Sequence, residues 1–189
     1  MSKINEENST QEDNNSWVSL GKDLLLVVAV LITFMFLSKL VFGLWTPMVA
    51  VESESMDPHI QIGDIVFMKS IDRVNIITNE EGKKSGYESF KNYGDVILYR
   101  PNGTEDVTPI IHRAMYRVKA GEPMWEGGPL AQYSGYITKG DNVVTNQYFD
   151  QQGDISGLVK DKWIIGTAQY RIPYLGYLKL FFHKIFTAI

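Results

Sequence analysis

Two serines separated by one residue, Ser53 and Ser55, are the first candidates for a catalytic nucleophile in this chain. They follow a β-like segment, and Ser55 is followed at once by Met56, Asp57 and Pro58, which break a strand. Residues at i and i+2 of a strand point to the same face, so we expect the two hydroxyls on one side. A serine at such a break would have an accessible hydroxyl and nearby backbone N–H groups for an oxyanion. The same pattern is more often a simple turn, so it indicates catalysis only together with a base.

The candidate bases are few, because the chain has three histidines. His112 lies in a run of apolar, β-like residues, and histidine is the side chain most easily used as a base near neutral pH. His59 follows Pro58 in a turn and is expected to be solvated, while His183 lies in the C-terminal tail. A lone strand histidine is usually structural, but His112 is the best candidate of the three.

Carboxylates that could assist a histidine occur at Asp141, within Gly140-Asp141-Asn142, and at Asp150. Gly-Asp-Asn in a loop is usually an ordinary turn. A buried carboxylate can also hold a histidine in one tautomer and stabilise its charged form. Either aspartate could take that role.

The composition excludes several kinds of chemistry. The 189 residues contain no cysteine, so disulfides, a thiol nucleophile and cysteine-containing zinc sites are ruled out. Three histidines leave little room for a histidine-rich metal site, and we expect neither a metal nor another cofactor. The 18 basic against 22 acidic residues argue against a nucleic-acid partner, since such proteins usually carry a basic surplus.

The elements that must position these residues change sharply along the chain. Residues 1–23 form a polar, acidic segment that we expect to be a disordered cytoplasmic tail. Residues 24–45 are apolar apart from Lys39, whose long stem can reach the headgroups, and they are long enough to cross about 30 Å of hydrocarbon. Trp17 and Trp45 flank the run as an aromatic belt would. This predicts one transmembrane helix; the alternatives are a cleaved signal peptide and a buried core helix.

The remaining chain divides into a β domain and a short tail. Residues 46–174 contain short runs rich in Val, Ile, Tyr and Phe between Gly, Pro, Asn and Asp, which predicts a mainly antiparallel β domain with loops at 75–93 and 120–136. Residues 175–189 place apolar side chains at helical spacing with three basic residues off that stripe. An amphipathic helix at the membrane interface fits this pattern best. A helix packed on the β domain and a second span are the alternatives.

In combination, these weak signals resemble the type I signal peptidase family. The resemblance covers the chain from the apolar helix to about Gly176, and it consists of boxes in the family's order at Ser53–Pro58, Gly63–Val66, Gly94–Ile97, Ile111–Arg113, Lys139–Asn142 and Ile165–Gly176. The box that carries a lysine base in bacterial members holds His112 here, as in the archaeal and endoplasmic-reticulum type. Two positions depart from the family pattern: Glu54 replaces the usual glycine, and His59 replaces the usual threonine.

The resemblance implies a barrel-like antiparallel catalytic domain and a role for each candidate residue. Ser55 would attack the scissile carbonyl and form an acyl-enzyme, and His112 would take the hydroxyl proton and return it to the leaving amine. The Ser55 N–H and the Ser53 hydroxyl would stabilise the oxyanion. Asp150 is favoured over Asp141 as the partner of His112, although its spacing requires a small loop insertion.

The resemblance also implies the substrate and the location. The enzyme would remove N-terminal signal peptides from secreted preproteins by cutting after small residues. The strand formed by Met48, Val49, Ala50, Val51 and Glu52 would bind the extended peptide by strand addition. The protein would be a single-pass protein of the cell membrane, with its catalytic domain on the extracytoplasmic side. Its partners would be preproteins, the lipid bilayer and the protein translocation channel.

Two other functions are compatible with the same residues. One is a membrane-anchored serine protease with a different substrate, such as a self-cleaving regulator. The other is a catalytically silent homologue that serves as a binding subunit, which the presence of Ser55, His112 and both aspartates disfavours.

Overall fold

The computed structural model describes residues 2–177 and begins with a long helix, α1 (Ser2–Phe42). Within it, Trp17–Phe42 is long and apolar enough to cross a membrane, and it is almost entirely exposed. The structure differs here from the sequence prediction, since helix covers residues 2–23 of the segment expected to be disordered. An established helix extends at little cost through residues that would not nucleate one themselves.

The C-terminal end of α1 is fixed to the β domain. The helix ends at Phe42, before the predicted end of the span at residue 45, because Gly43 adopts a left-handed conformation with φ of 75°. Arg73 donates to the carbonyl of Leu40, and the N–H of Ser70 donates to the carbonyl of Phe42. Lys39 caps its own helix by donating to the Gly43 carbonyl at 2.8 Å. The bonds to Leu40 and Phe42 satisfy helix carbonyls that have no partner within the helix.

The β domain is built on a six-stranded antiparallel sheet in the order β1-β2-β8-β5-β6-β7. Its strands are β1 (Met48–Ala50), β2 (Ile65–Lys69), β5 (Val96–Tyr99), β6 (Ile110–Val118), β7 (Gly135–Lys139) and β8 (Ile164–Ile172). The predicted antiparallel β class is therefore confirmed. The sheet is not a closed barrel, because the edge strands β1 and β7 do not pair with each other within the described residues.

The region 75–93, predicted as loop, contains regular structure. Helix α2 (Asn79–Ser85) begins with a capping box between Thr78 and Glu81, and β3 (Glu88–Ser89) pairs with β4 (Asn92–Tyr93) in a small hairpin. The capping box is a signal that the sequence carried, since Thr-x-x-Glu marks a helix start. The short polar strands β3 and β4 had no comparable signal in the sequence.

The main core cluster lies directly beneath the candidate nucleophile. It contains Met56 and Ile60, both fully buried, with Val51, Val66 and Met68 from the first two strands and their surroundings. Met56 and Ile60 hold the turn that carries Ser55 against the sheet, because withdrawing either side chain would expose apolar surface.

The domain bounds 1–23, 24–45, 46–174 and 175–189 remain predictions. The predicted C-terminal amphipathic helix lies largely outside the described residues, which end at Tyr177.

Candidate active site

Ser53 and Ser55 lie in an exposed turn that follows β1 rather than within a strand. Their hydroxyl oxygens are nevertheless 3.2 Å apart and so lie on one side, although the strand geometry from which we expected this is absent. The next residue, Met56, is buried, so the chain turns inward immediately after Ser55. The turn thus offers a hydroxyl to solvent while its backbone is anchored in the core.

His112 lies on β6 and is hydrogen-bonded to Asp150, which comes from the segment between β7 and β8. The distance from Nδ1 of His112 to Oδ2 of Asp150 is 2.7 Å, and both residues are buried. A carboxylate on Nδ1 favours the tautomer in which that nitrogen carries the proton. This leaves Nε2 as the nitrogen that can accept a proton.

Asp150 is surrounded by donors that sequence reasoning missed. Its Oδ2 also accepts hydrogen bonds from the Tyr99 hydroxyl at 2.8 Å and the Thr138 hydroxyl at 2.6 Å. Burial alone raises the pKa of Asp150, but the hydrogen bond and charge of His112, with the two hydroxyls, outweigh it and hold the pKa below its usual range. Burial and the neighbouring carboxylate raise the pKa of Tyr99, which therefore stays a donor. Asp150 is thus kept ionised beside His112.

A cavity of about 470 Å³ brings Ser55 and His112 together. Its walls come from the β1 region, from β5 and β6 and from the segment after β7, through Val49–Ser53, Ser55, Leu98, Thr108–His112, Asn146 and Ile155. Four of the five predicted substrate-binding residues, Val49 to Glu52, line it, whereas Met48 does not. Because β1 is an edge strand, its second side carries no sheet partner within the described residues.

Asp141 lies in a different place and does not contact His112. Its carboxylate binds the Arg113 guanidinium through Nε at 2.8 Å and Nη2 at 2.5 Å, and it binds Nδ1 of His59 at 2.8 Å. Arg113 is fully buried, and it also donates to the carbonyl of Gly94 at 2.5 Å. His59, expected in solvent, is therefore partly buried and hydrogen-bonded to the carboxylate of the Asp141–Arg113 ion pair.

The segment Gly140–Asn142 contacts the nucleophile turn at three consecutive residues. Asn142 donates from its backbone N–H to the Ser55 carbonyl and from its side chain to the Glu54 carbonyl, both at 2.9 Å. Asp141 reaches His59 on the far side of the turn. A Cβ atom added at Gly140 would lie 2.5 Å from the Ser55 carbonyl oxygen. Only glycine allows this close approach.

Gly140→Ala is therefore expected to displace the nucleophile turn. A misplacement of about 1 Å can cost about 10²-fold in rate, so we expect a loss of that order in hydrolytic activity while the domain stays folded. Gly153→Ala is the matched control, because its nearest contacts would be 3.7 Å away. Hydrolysis rates and thermal unfolding of both variants test the expected displacement of the turn. Equal activity of the two variants would contradict the prediction.

The described residues contain no group of three His, Asp or Glu side chains that could hold a metal ion. Ser55 and His112 line the cavity, and Asp150 is hydrogen-bonded to His112. A serine, a buried histidine and a buried carboxylate on an antiparallel β domain are the components that serine hydrolases use. The apolar helix α1 adds a segment suited to a membrane.

Comparison with known proteins identifies the family. The chain is similar to the signal peptidase complex catalytic subunit SEC11 of Eremothecium gossypii, with 31% identity over 165 residues that cover 85% of this chain and 81% of that protein. The SEC11 subunit of Lachancea thermotolerans is 32% identical over 168 residues, covering 88% and 84%. SEC11 of Saccharomyces cerevisiae is 29% identical over 135 residues, covering 71% and 65%. No model of a known protein family matches. The chain belongs to the family of signal peptidase catalytic subunits of the endoplasmic-reticulum type.

Proposed function

We propose that this protein is a membrane-bound serine endopeptidase that removes N-terminal signal peptides from secreted preproteins. One observation carries the proposal: His112, hydrogen-bonded to the buried Asp150, lines the same cavity as Ser55. Similarity to SEC11 subunits of signal peptidase complexes supports the choice of substrate.

The reaction begins with proton transfer from Ser55 to Nε2 of His112 as the serine oxygen attacks the scissile carbonyl. Asp150 stabilises the imidazolium that forms, because its carboxylate is already ionised and in contact with Nδ1. The Ser55 N–H and the Ser53 hydroxyl stabilise the oxyanion. His112 then protonates the leaving amine, and water, activated in the same way, hydrolyses the acyl-enzyme.

The substrate binds as an extended strand beside β1. The open edge of β1 supplies main-chain groups, and Val49, Ala50, Val51 and Glu52 face the cavity in which alternate substrate side chains would sit. Cleavage follows small residues at the first and third positions before the cut.

Helix α1 is the membrane anchor, and its fixed junction with the β domain holds the cavity close to the bilayer. The catalytic domain lies on the extracytoplasmic side, where translocated preproteins and the translocation channel present signal peptides. The exposed apolar surface of Trp17–Phe42 supports the anchor.

The test is cleavage of a preprotein by the full chain in detergent or liposomes. We expect one product whose new N-terminus follows a small-x-small sequence, and no cut in a matched preprotein with a large residue before the scissile bond. Cutting of both substrates, or at an unrelated site, would favour a protease with a different substrate. Absence of any cleavage would support a silent subunit.

A further inference from the structure

Asn146 lines the same cavity as Ser55 and His112, although nothing in the sequence pattern marks it. The residue is 7% exposed, so its polar atoms need partners. The Thr145 hydroxyl donates to its Oδ1 at 2.8 Å, which leaves the NH2 end of the carboxamide for another acceptor. Within residues 17–177, the structure gives Nδ2 of Asn146 no acceptor. The fully buried polar atoms that lack a partner are Oδ1 of Asp64 and Oδ1 of Asp150. Nδ2 of Asn146 is not one of them, so this atom keeps some exposure to solvent.

The position of this amide is fixed relative to the nucleophile. The backbone N–H of Asn146 donates to the carbonyl of Asn142 at 2.8 Å, and Asn142 is bonded to the Ser55 carbonyl. A Cβ atom at Gly140 would lie 2.5 Å from both Cγ of Asn146 and the Ser55 carbonyl oxygen, and 2.7 Å from Nδ2. The carboxamide therefore lies beside the backbone of the nucleophile turn.

A substrate strand needs such a donor. A peptide that pairs with the edge of β1 directs only every second residue's main-chain groups toward β1. The remaining carbonyls face the cavity, where an unpaired carbonyl loses its hydrogen bonds to water. Asn146 approaches from the segment after β7, separately from β1, and among the described residues it holds the one carboxamide in the cavity wall.

We infer that the Asn146 side-chain amide donates a hydrogen bond to a main-chain carbonyl of the bound peptide. This rests on the proposed function and adds a substrate-binding residue to it. The bond forms with the substrate before and during reaction, so its loss raises KM and leaves kcat nearly unchanged.

The test compares two reactions of each variant. The first is cleavage of the preprotein, and the second is labelling of Ser55 by a small fluorophosphonate, which reacts with the serine but has no peptide chain. For Asn146→Ala we expect a drop in kcat/KM of about 10-fold to 100-fold, mainly in KM, with an unchanged labelling rate. Asn146→Asp keeps the shape, removes the donor and should lose at least as much cleavage. Gln147→Ala, an exposed neighbour, is the control and should match the wild type in both reactions.

Three outcomes would overturn the inference: undiminished cleavage by Asn146→Ala, an equal fall in cleavage and labelling, or a loss confined to kcat. The second would mean that Asn146 only supports the nucleophile turn. A wild-type protein that neither cleaves nor becomes labelled would instead contradict the proposed function, so the two failures are distinguishable.

Discussion

We expect Ser55→Ala and His112→Ala each to abolish preprotein cleavage while leaving the β domain folded. In the proposed mechanism the serine provides the attacking oxygen and the histidine moves its proton, so neither step proceeds without the other. In proteases with this chemistry, removing either group costs on the order of 10⁶ in kcat, and removing both costs little more. We therefore expect the double variant to be no less active than the single ones.

The measurement is single-turnover cleavage of a preprotein at excess enzyme, with thermal unfolding of each purified variant. Ser53→Ala provides an intermediate case. Its hydroxyl is 3.2 Å from that of Ser55, and loss of one oxyanion donor costs roughly 10²–10³. Near wild-type cleavage by either Ser55→Ala or His112→Ala would show that the cavity residues are not the catalytic pair.

Asp150→Asn and Asp141→Asn are expected to separate activity from stability. In Asp150→Asn an amide replaces the carboxylate that contacts Nδ1 of His112, which favours the wrong histidine tautomer. A comparable change costs about 10⁴-fold in kcat in a Ser-His-Asp protease. The pKa of Asp150 lies below its usual range, so the wild-type carboxylate is charged wherever an ordinary aspartate would be, and the difference between wild type and variant persists at every such pH.

Asp141→Asn acts through a different contact. It leaves the fully buried guanidinium of Arg113 without its counter-charge, and breaking a buried pair costs about 3–5 kcal/mol. We expect a lower unfolding temperature and a smaller loss of activity at temperatures where the variant is folded. Measuring kcat and thermal unfolding for both variants shows which aspartate supports activity and which supports stability. Full activity of Asp150→Asn would remove the triad and leave a Ser–His pair, and a larger kcat loss in Asp141→Asn would reverse the roles.

The choice between these aspartates shows where sequence reasoning stopped. Both lie between β7, which ends at Lys139, and β8, and both are carboxylates that could serve a histidine. The pairing is determined by which side of β6 each one approaches, since His112 and Arg113 are adjacent and successive side chains of a strand point to opposite faces. Asp150 meets His112, and Asp141 meets Arg113.

Other contacts depend in the same way on segments far apart in the chain. His59 and Asp141, separated by 82 positions, come together only because Gly140–Asn142 packs on the nucleophile turn. Tyr99 and Thr138 reach Asp150 from two strands that both flank β6. Residue type alone marks none of these as neighbours of a catalytic group.

The sequence by itself determined the apolar helix, the antiparallel β class, the paired serines and the family. These follow from local composition, from short-range spacing and from the order of the boxes, which do not depend on how distant segments pack. Tertiary structure alone decided that the sheet stays open and that Asp150 rather than Asp141 contacts His112. It also placed Asn146 in the cavity. Each of these depends on the register of strands and on contacts across many residues, which hydrophobic patterning leaves undetermined.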